Sequence, residues 1–120
     1  MERMKKIDVL VIDDNSDMLH WFELLNNQTS PYYFHVLQNE LNVTRVLEKM
    51  KPDLILLDVS LNSLDGPFIA SIIGGSENGN IPIVYISSDK KNEKIISNDN
   101  FLLKPFTKEI IFNKIKEVLS

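Results

Sequence analysis

Polar residues able to do chemistry stand at the ends of the apolar segments of this sequence. Four such segments stop on a carboxylate, a hydroxyl or an ammonium group: Asp13, Asp14, Asp58, Ser87 and Lys104. Carboxylates that pack together repel one another and need a counter-charge. Lys104 would supply one. Mg²⁺ would supply more, because it favours one or two carboxylates, several waters and a phosphate oxygen.

These residues converge only if the apolar segments are neighbouring parallel strands. Strand-like segments alternate with helical patterns about five times, with the sequences IDVLVID, YYFHVLQ, DLILLD, IPIVYIS and FLLK. Near-continuous apolar strands are typical of a parallel sheet covered on both faces. We therefore expect the polar residues to collect at the carboxyl edge of such a sheet. One Asp after a strand is usually a turn or a helix cap, but the whole set favours a functional site.

Helical patterns connect the predicted strands. Asn15 or Ser16 can cap the first helix, which has an apolar stripe of Met18, Phe22 and Leu25. The later helical patterns are NVTRVLEKM, GPFIASII, a short segment around Lys90 to Ser97, and a final helix capped by Thr107. The sequence thus predicts a single α/β domain over residues 1–120.

Composition excludes several classes of protein. The 120 residues are 43% hydrophobic and 25% charged, with a formal net charge of −4 and no cysteine. Net negative charge argues against wholesale nucleic-acid binding, which needs a basic face. Without cysteine there is no disulfide framework, and no apolar run approaches the ~18 residues of a membrane span. We expect a cytoplasmic protein that binds neither DNA directly nor membranes.

Four motifs carry a resemblance to a known family. They are the acidic pair in VIDDN, the carboxylate in LLDVSLNSLDG, the hydroxyl in IPIVYISS and the lysine in FLLKPF. In this order and spacing they resemble the response-regulator receiver domain of two-component signalling, and the chain is similar to the stand-alone chemotaxis regulator. The resemblance implies a flavodoxin-like, doubly wound five-stranded parallel sheet with strand order 2-1-3-4-5.

The same resemblance implies roles for the residues of the acidic cluster. Asp58 matches the phosphoryl acceptor, and Asp14 matches a direct Mg²⁺ ligand. Asp13 matches an acidic partner that holds metal-bound water, and the backbone carbonyl of Ser60 matches the third protein ligand. In-line phosphoryl transfer needs a positioned nucleophile and cations near the transferred group, which this set would provide.

Three further residues match the switch of the family. Ser87 matches the switch hydroxyl and Lys104 the lysine that pairs with the phosphoryl group. Phe101, three residues before that lysine, matches the aromatic switch residue. The implied partners are a histidine kinase or a histidine phosphotransfer protein and an unidentified downstream protein target. The chain would be a monomer or a weak dimer that catalyses only its own phosphorylation and dephosphorylation.

The sequence departs from the family pattern mainly after the fourth strand. Asn62 stands where the family usually has proline. Asp89 follows the switch region, where we expect it to cap a helix rather than to influence water attack during dephosphorylation. The segment from Ser88 to Leu103 is about a turn shorter than usual, so the fourth helix must be short. Because it has few apolar anchors, we expect residues 89–100 to be mobile in the free protein and to order on phosphorylation or partner binding.

Alternative functions share parts of this pattern. A pseudo-receiver would have the same fold and bind partners without phosphorylation. A haloacid-dehalogenase-type hydrolase needs a second acid two residues after the acceptor, where Ser60 stands, and a flavodoxin-like electron carrier needs a phosphate loop after the first strand. The motifs favour the receiver, either stand-alone or cut from a longer regulator. His20, His35 and Trp21 are expected to be solvated, hydrogen-bonded or packed rather than functional.

Overall fold

One parallel sheet of five strands organises the protein. The computed structural model describes residues 5–38, 42–59, 81–89 and 100–120. The strands are β1 (Ile7–Ile12), β2 (Tyr32–Leu37), β3 (Leu54–Asp58), β4 (Ile83–Ser87) and β5 (Phe101–Leu103). Their order is β2-β1-β3-β4-β5 and all neighbours are parallel, which confirms the predicted topology.

Three helices lie in the described part of the chain: α1 (Ser16–Leu24), α2 (Val43–Lys49) and α3 (Lys108–Leu119). The predicted third and fourth helices fall outside the described residues, so the predicted shortening of the fourth helix stays a prediction. No helix in the described ranges is long and apolar enough to cross a membrane.

Both faces of the sheet are buried, which explains why the strands are apolar at nearly every position. On β1, Val9 and Val11 pack with residues of α1 and α3, whereas Leu10 and Ile12 pack with residues of α2. The same alternation occurs on β3, whose residues are all buried. Burying a side chain of this size stabilises a fold by about 1.5–3 kcal/mol relative to leaving it exposed.

Side-chain caps begin two of the helices, as their sequences predict. The Asn15 carboxamide oxygen accepts a hydrogen bond from the Met18 backbone N–H, and the Thr107 hydroxyl accepts one from Ile110. The buried residues of α1 are Leu19 and Phe22, so the predicted stripe missed Leu19. Met18 and Leu25, which that stripe included, are half-buried at the margin of the core.

Candidate functional site

The register of the sheet brings four of the predicted site residues to one edge. Ile12 pairs with Leu57, so Asp13 and Asp58 follow directly after paired positions on neighbouring strands. Ser87 pairs with Leu103, so Lys104 comes one residue beyond Ser87 on the next strand. The backbone N–H of Lys104 donates to the Ser87 carbonyl at 2.7 Å and extends this pairing past the end of β5.

Lys104 makes the central contact of the site. Its Nζ donates to Asp13 Oδ2 at 2.8 Å and to Asp58 Oδ2 at 3.4 Å. The Lys104 side chain is 14% exposed, and those of Asp13 and Asp58 are 0% and 4% exposed. Removing one partner of a buried ion pair leaves an uncompensated charge, so each of these side chains depends on the others.

Asp13, Asp14 and Asp58 form an acidic cluster in which each residue offers a carboxylate oxygen within 4.8 Å of the others. Three carboxylates and the Lys104 ammonium carry a formal charge of −2 among these four described side chains. Hard oxygen donors with excess negative charge fit Mg²⁺. The predicted third ligand, the Ser60 carbonyl, lies outside the described residues.

Backbone and amide groups hold the acidic loop in place. The Asn15 backbone N–H donates to Asp13 Oδ1 at 2.9 Å, so both oxygens of this carboxylate accept a hydrogen bond. The Gln38 side chain donates to the Asp14 carbonyl at 3.2 Å. Sequence reasoning missed both contacts. Asn15 was recognisable only as a cap, and nothing local links Gln38, which follows β2, to Asp14, which follows β1.

Ser87 and Phe101, the two predicted switch residues, lie on neighbouring strands. Ser87 is fully buried at the end of β4; its Oγ accepts a hydrogen bond from the Asp89 N–H at 2.9 Å and lies 3.3 Å from the Asp89 carbonyl oxygen. Phe101 begins β5, opposite Tyr85 in the register, and is half-buried. The hydroxyl thus sits at the carboxyl edge of the sheet, whereas the aromatic residue sits at the other end of a three-residue strand.

Neither of the two histidines lies at the carboxyl edge of the sheet. His20 is exposed on α1, and His35 Nε2 contacts Asp8 Oδ1 at 2.9 Å near the amino end of the sheet. This agrees with the expectation of solvated or hydrogen-bonded histidines. Across the described ranges, Asp13, Asp14 and Asp58 are the one group of acidic, His or Cys side chains close enough to share a metal ion.

The chain is similar in sequence to known regulators. The sequence profile of the response regulator receiver domain matches residues 9–116. The uncharacterized transcriptional regulatory protein YvcP of Bacillus subtilis is 33% identical over 118 residues, which cover 92% of this chain and 48% of that protein. The sensory transduction protein BceR of Halalkalibacterium halodurans is 27% identical, over 92% of this chain and 49% of that protein. The chain therefore spans about half the length of these relatives.

Solved structures share the fold at lower sequence identity. The receiver domain of the Pseudomonas aeruginosa sensor histidine kinase PA1611, solved with a magnesium ion in its active-site cleft, has a TM-score of 0.83 and 21% identity, over 96% of this chain and 98% of that chain. The Vibrio cholerae chemotaxis response regulator CheY4 has a TM-score of 0.81 and 19% identity, over 96% and 100%. The solved structures show the shared fold, and the profile match over residues 9–116 shows that the chain belongs to the response regulator receiver domain family of two-component systems.

Proposed function

We propose that this chain accepts a phosphoryl group on Asp58 from a histidine kinase or a histidine phosphotransfer protein. One observation carries the proposal: Asp58 ends the central strand β3 with its Oδ2 3.4 Å from Lys104 Nζ and with two more carboxylates close by. A carboxylate nucleophile must be ionised, and a buried one needs positive charge beside it. Lys104 supplies that charge.

In the proposed transfer, an oxygen of Asp58 attacks phosphorus, the bond from phosphorus to the donor imidazole nitrogen breaks, and the imidazole leaves with the electron pair. Lys104 pairs with an oxygen of the transferred group, and Asp13 holds its ammonium at the sheet edge. Asp14, Asp58 and the Ser60 carbonyl would hold Mg²⁺, with Asp13 holding metal-bound water. When bound, the metal would neutralise charge on the phosphoryl oxygens.

The proposed output is a change in a partner-binding surface. A phosphorylated Asp58 would bring about −1.5 to −2 charges, by analogy with other phosphorylated side chains, and this charge attracts hydrogen-bond donors. Ser87 at the end of the adjacent strand is the nearest predicted responder, and Phe101 on β5 would follow it. A downstream protein target, a cytoplasmic location and a monomeric or weakly dimeric state belong to the same proposal.

The experiment is incubation with acetyl phosphate and Mg²⁺, followed by mass spectrometry of the intact chain and mapping of the adduct. Asp58→Asn keeps the shape of the side chain and removes the nucleophile, so it should fold and take no phosphoryl group. Asp53→Asn is a matched control, because Asp53 is exposed beside the opposite end of the same strand. An adduct mapped to Asp13 or Asp14 would refute the assignment. A folded wild type that takes no phosphoryl group would favour the pseudo-receiver.

A further inference from the structure

An aromatic contact joins α1 to the loop that carries Lys104. Phe106 lies two residues after Lys104, and its ring centroid is 5.7 Å from that of Trp21 and 6.2 Å from that of Phe22. Trp21 and Phe22 themselves meet edge to face at 5.1 Å. Rings at these distances and angles attract one another beyond their simple burial. The loop after β5 is therefore attached to α1 through side chains of neighbouring residues.

This contact connects the two chain segments that carry the acidic residues and the lysine of the candidate site. Helix α1 begins directly after the acidic pair, with Asn15 as both its cap and a donor to Asp13. At the start of the loop, the Lys104 backbone N–H forms a hydrogen bond to the Ser87 carbonyl. Two residues later, Phe106 packs against Trp21 of α1. The aromatic contact thus links the helix that follows the acids to the loop that supplies their counter-charge.

The two residues of α1 that meet Phe106 differ in burial. Phe22 is fully buried and also contacts Phe34 at 5.3 Å, so it belongs to the centre of the core. Trp21 is half-buried and packs at the margin of the same core. Replacing Trp21 would remove one side of the packing around Phe106 without opening a cavity at the core centre, which separates an effect on the loop from general loss of stability.

We propose that Trp21 and Phe106 are positioning residues for Lys104. A lysine side chain is flexible and does not by itself fix the position of its ammonium group. The position of that group therefore depends on where the backbone of the loop is held. A shift of about 1 Å at a reacting group can cost on the order of 100-fold in rate. This inference rests on the proposed phosphorylation of Asp58 for its kinetic test. The inference that Trp21 and Phe106 place Lys104 against Asp13 does not depend on whether Asp58 is phosphorylated.

The kinetic test is a double-mutant cycle on the rate of phosphorylation by acetyl phosphate. Trp21→Leu should lower the rate by about 10-fold in the wild-type background and leave it unchanged in a Lys104→Ala background, because the effect passes through Lys104. Trp21→Phe should restore part of the rate. Leu24→Ala is the control, since Leu24 lies on the same helix and is 67% exposed. An equal fractional loss in both backgrounds would overturn the proposal.

A second measurement needs no phosphoryl group. The ¹³C signal of the Asp13 carboxyl carbon, recorded without Mg²⁺, should move in Trp21→Leu toward its position in Lys104→Ala and stay in place in Leu24→Ala. If that signal moves while the wild type takes no phosphoryl group, the proposed function fails and the positioning role stands. If the wild type is phosphorylated but the signal does not move, the positioning role fails alone. Should Trp21→Leu not fold, Phe106→Leu undergoes both measurements with the same criteria.

Discussion

Each end of the sheet contains a side-chain contact to an aspartate, and the two contacts have nearly the same length. At the carboxyl end, Lys104 Nζ lies 2.8 Å from Asp13 Oδ2, and both side chains are at least 86% buried. At the amino end, His35 Nε2 lies 2.9 Å from Asp8 Oδ1, and the side chains are 35% and 41% exposed. Distance does not distinguish these contacts; burial and surroundings do.

The contact that is buried from water constrains the protein more than the contact that is partly exposed. An exposed ion pair contributes about 0–1 kcal/mol because water screens it and both side chains lose freedom. A buried pair can contribute little net stability, yet breaking it is costly, because the remaining charge is left in a poor solvent. The carboxyl end also concentrates excess negative charge around Asp14 and Asp58. We therefore expect this end to respond strongly to substitution and to cations, and the amino end to respond weakly.

Loss of Lys104 should destabilise the protein most. Without Mg²⁺, Lys104→Met should lower the free energy of unfolding by about 3 kcal/mol, because Asp13 and Asp58 stay buried without it. Lys114→Met is a matched control: its side chain is 15% exposed, but its partner Glu117 is 71% exposed at 3.7 Å. That variant should lose less than about 1 kcal/mol. Urea unfolding measures the loss of stability in both variants. Equal losses would contradict the expectation that a buried ion pair is more costly to break than an exposed one.

The second effect is stabilisation by Mg²⁺, which should act at the carboxyl end alone. At a Mg²⁺ concentration tenfold above its dissociation constant, the free energy of unfolding should rise by about 1.4 kcal/mol through binding to the folded state. Asp14→Ala should abolish this increment and weaken Mg²⁺ binding measured by calorimetry. Asp8→Ala at the amino end should keep it in full. Undiminished Mg²⁺ affinity in Asp14→Ala would remove Asp14 from the ligand set.

A smaller effect is expected for the exposed pair. A double-mutant cycle of Asp8→Asn and His35→Gln, measured by urea unfolding, should give a coupling energy below about 1 kcal/mol. High salt should reduce it further, because charges that face solvent are screened. A coupling that is larger than this and insensitive to salt would show that the amino end behaves like a buried site.

The dependence of stability on alkaline pH should be a small effect, and it should be similar for a tyrosine on β2 and a tyrosine on β4. Burial raises the pKa of Tyr32 and of Tyr85 above the usual 10.0. Above pH 10 the unfolded chain loses these phenol protons before the folded chain does, so the contribution of the two tyrosines to stability should be constant below pH 10 and fall as pH rises beyond it. Tyr32→Phe and Tyr85→Phe should each flatten this fall in unfolding curves recorded from pH 9 to 11. Unchanged slopes in both variants would contradict the assignment.

Features that depend on near neighbours were predictable. The apolar runs from Val9 to Ile12 and before Asp58 predict buried strands, since both faces of the sheet are covered. Asn15 and Thr107 predict helix starts because their side chains bond to backbone groups three residues away. The proximity of Asp13, Asp58 and Lys104 was predictable because the carboxyl ends of parallel strands meet at the same edge of a sheet. The strand order required the resemblance to a family.

Contacts between residues that are distant in sequence depended on the packing of the folded chain. Lys104 lies closer to Asp13 than to Asp58, Gln38 holds the Asp14 carbonyl, and Trp21 packs against Phe106. No local pattern encodes these choices. They depend on strand register, on the path of a loop and on which helix face meets the sheet, and these are set by the packing of the whole core. Periodicity and capping report a residue's immediate neighbours, whereas a site is made of side chains that only the completed sheet brings together.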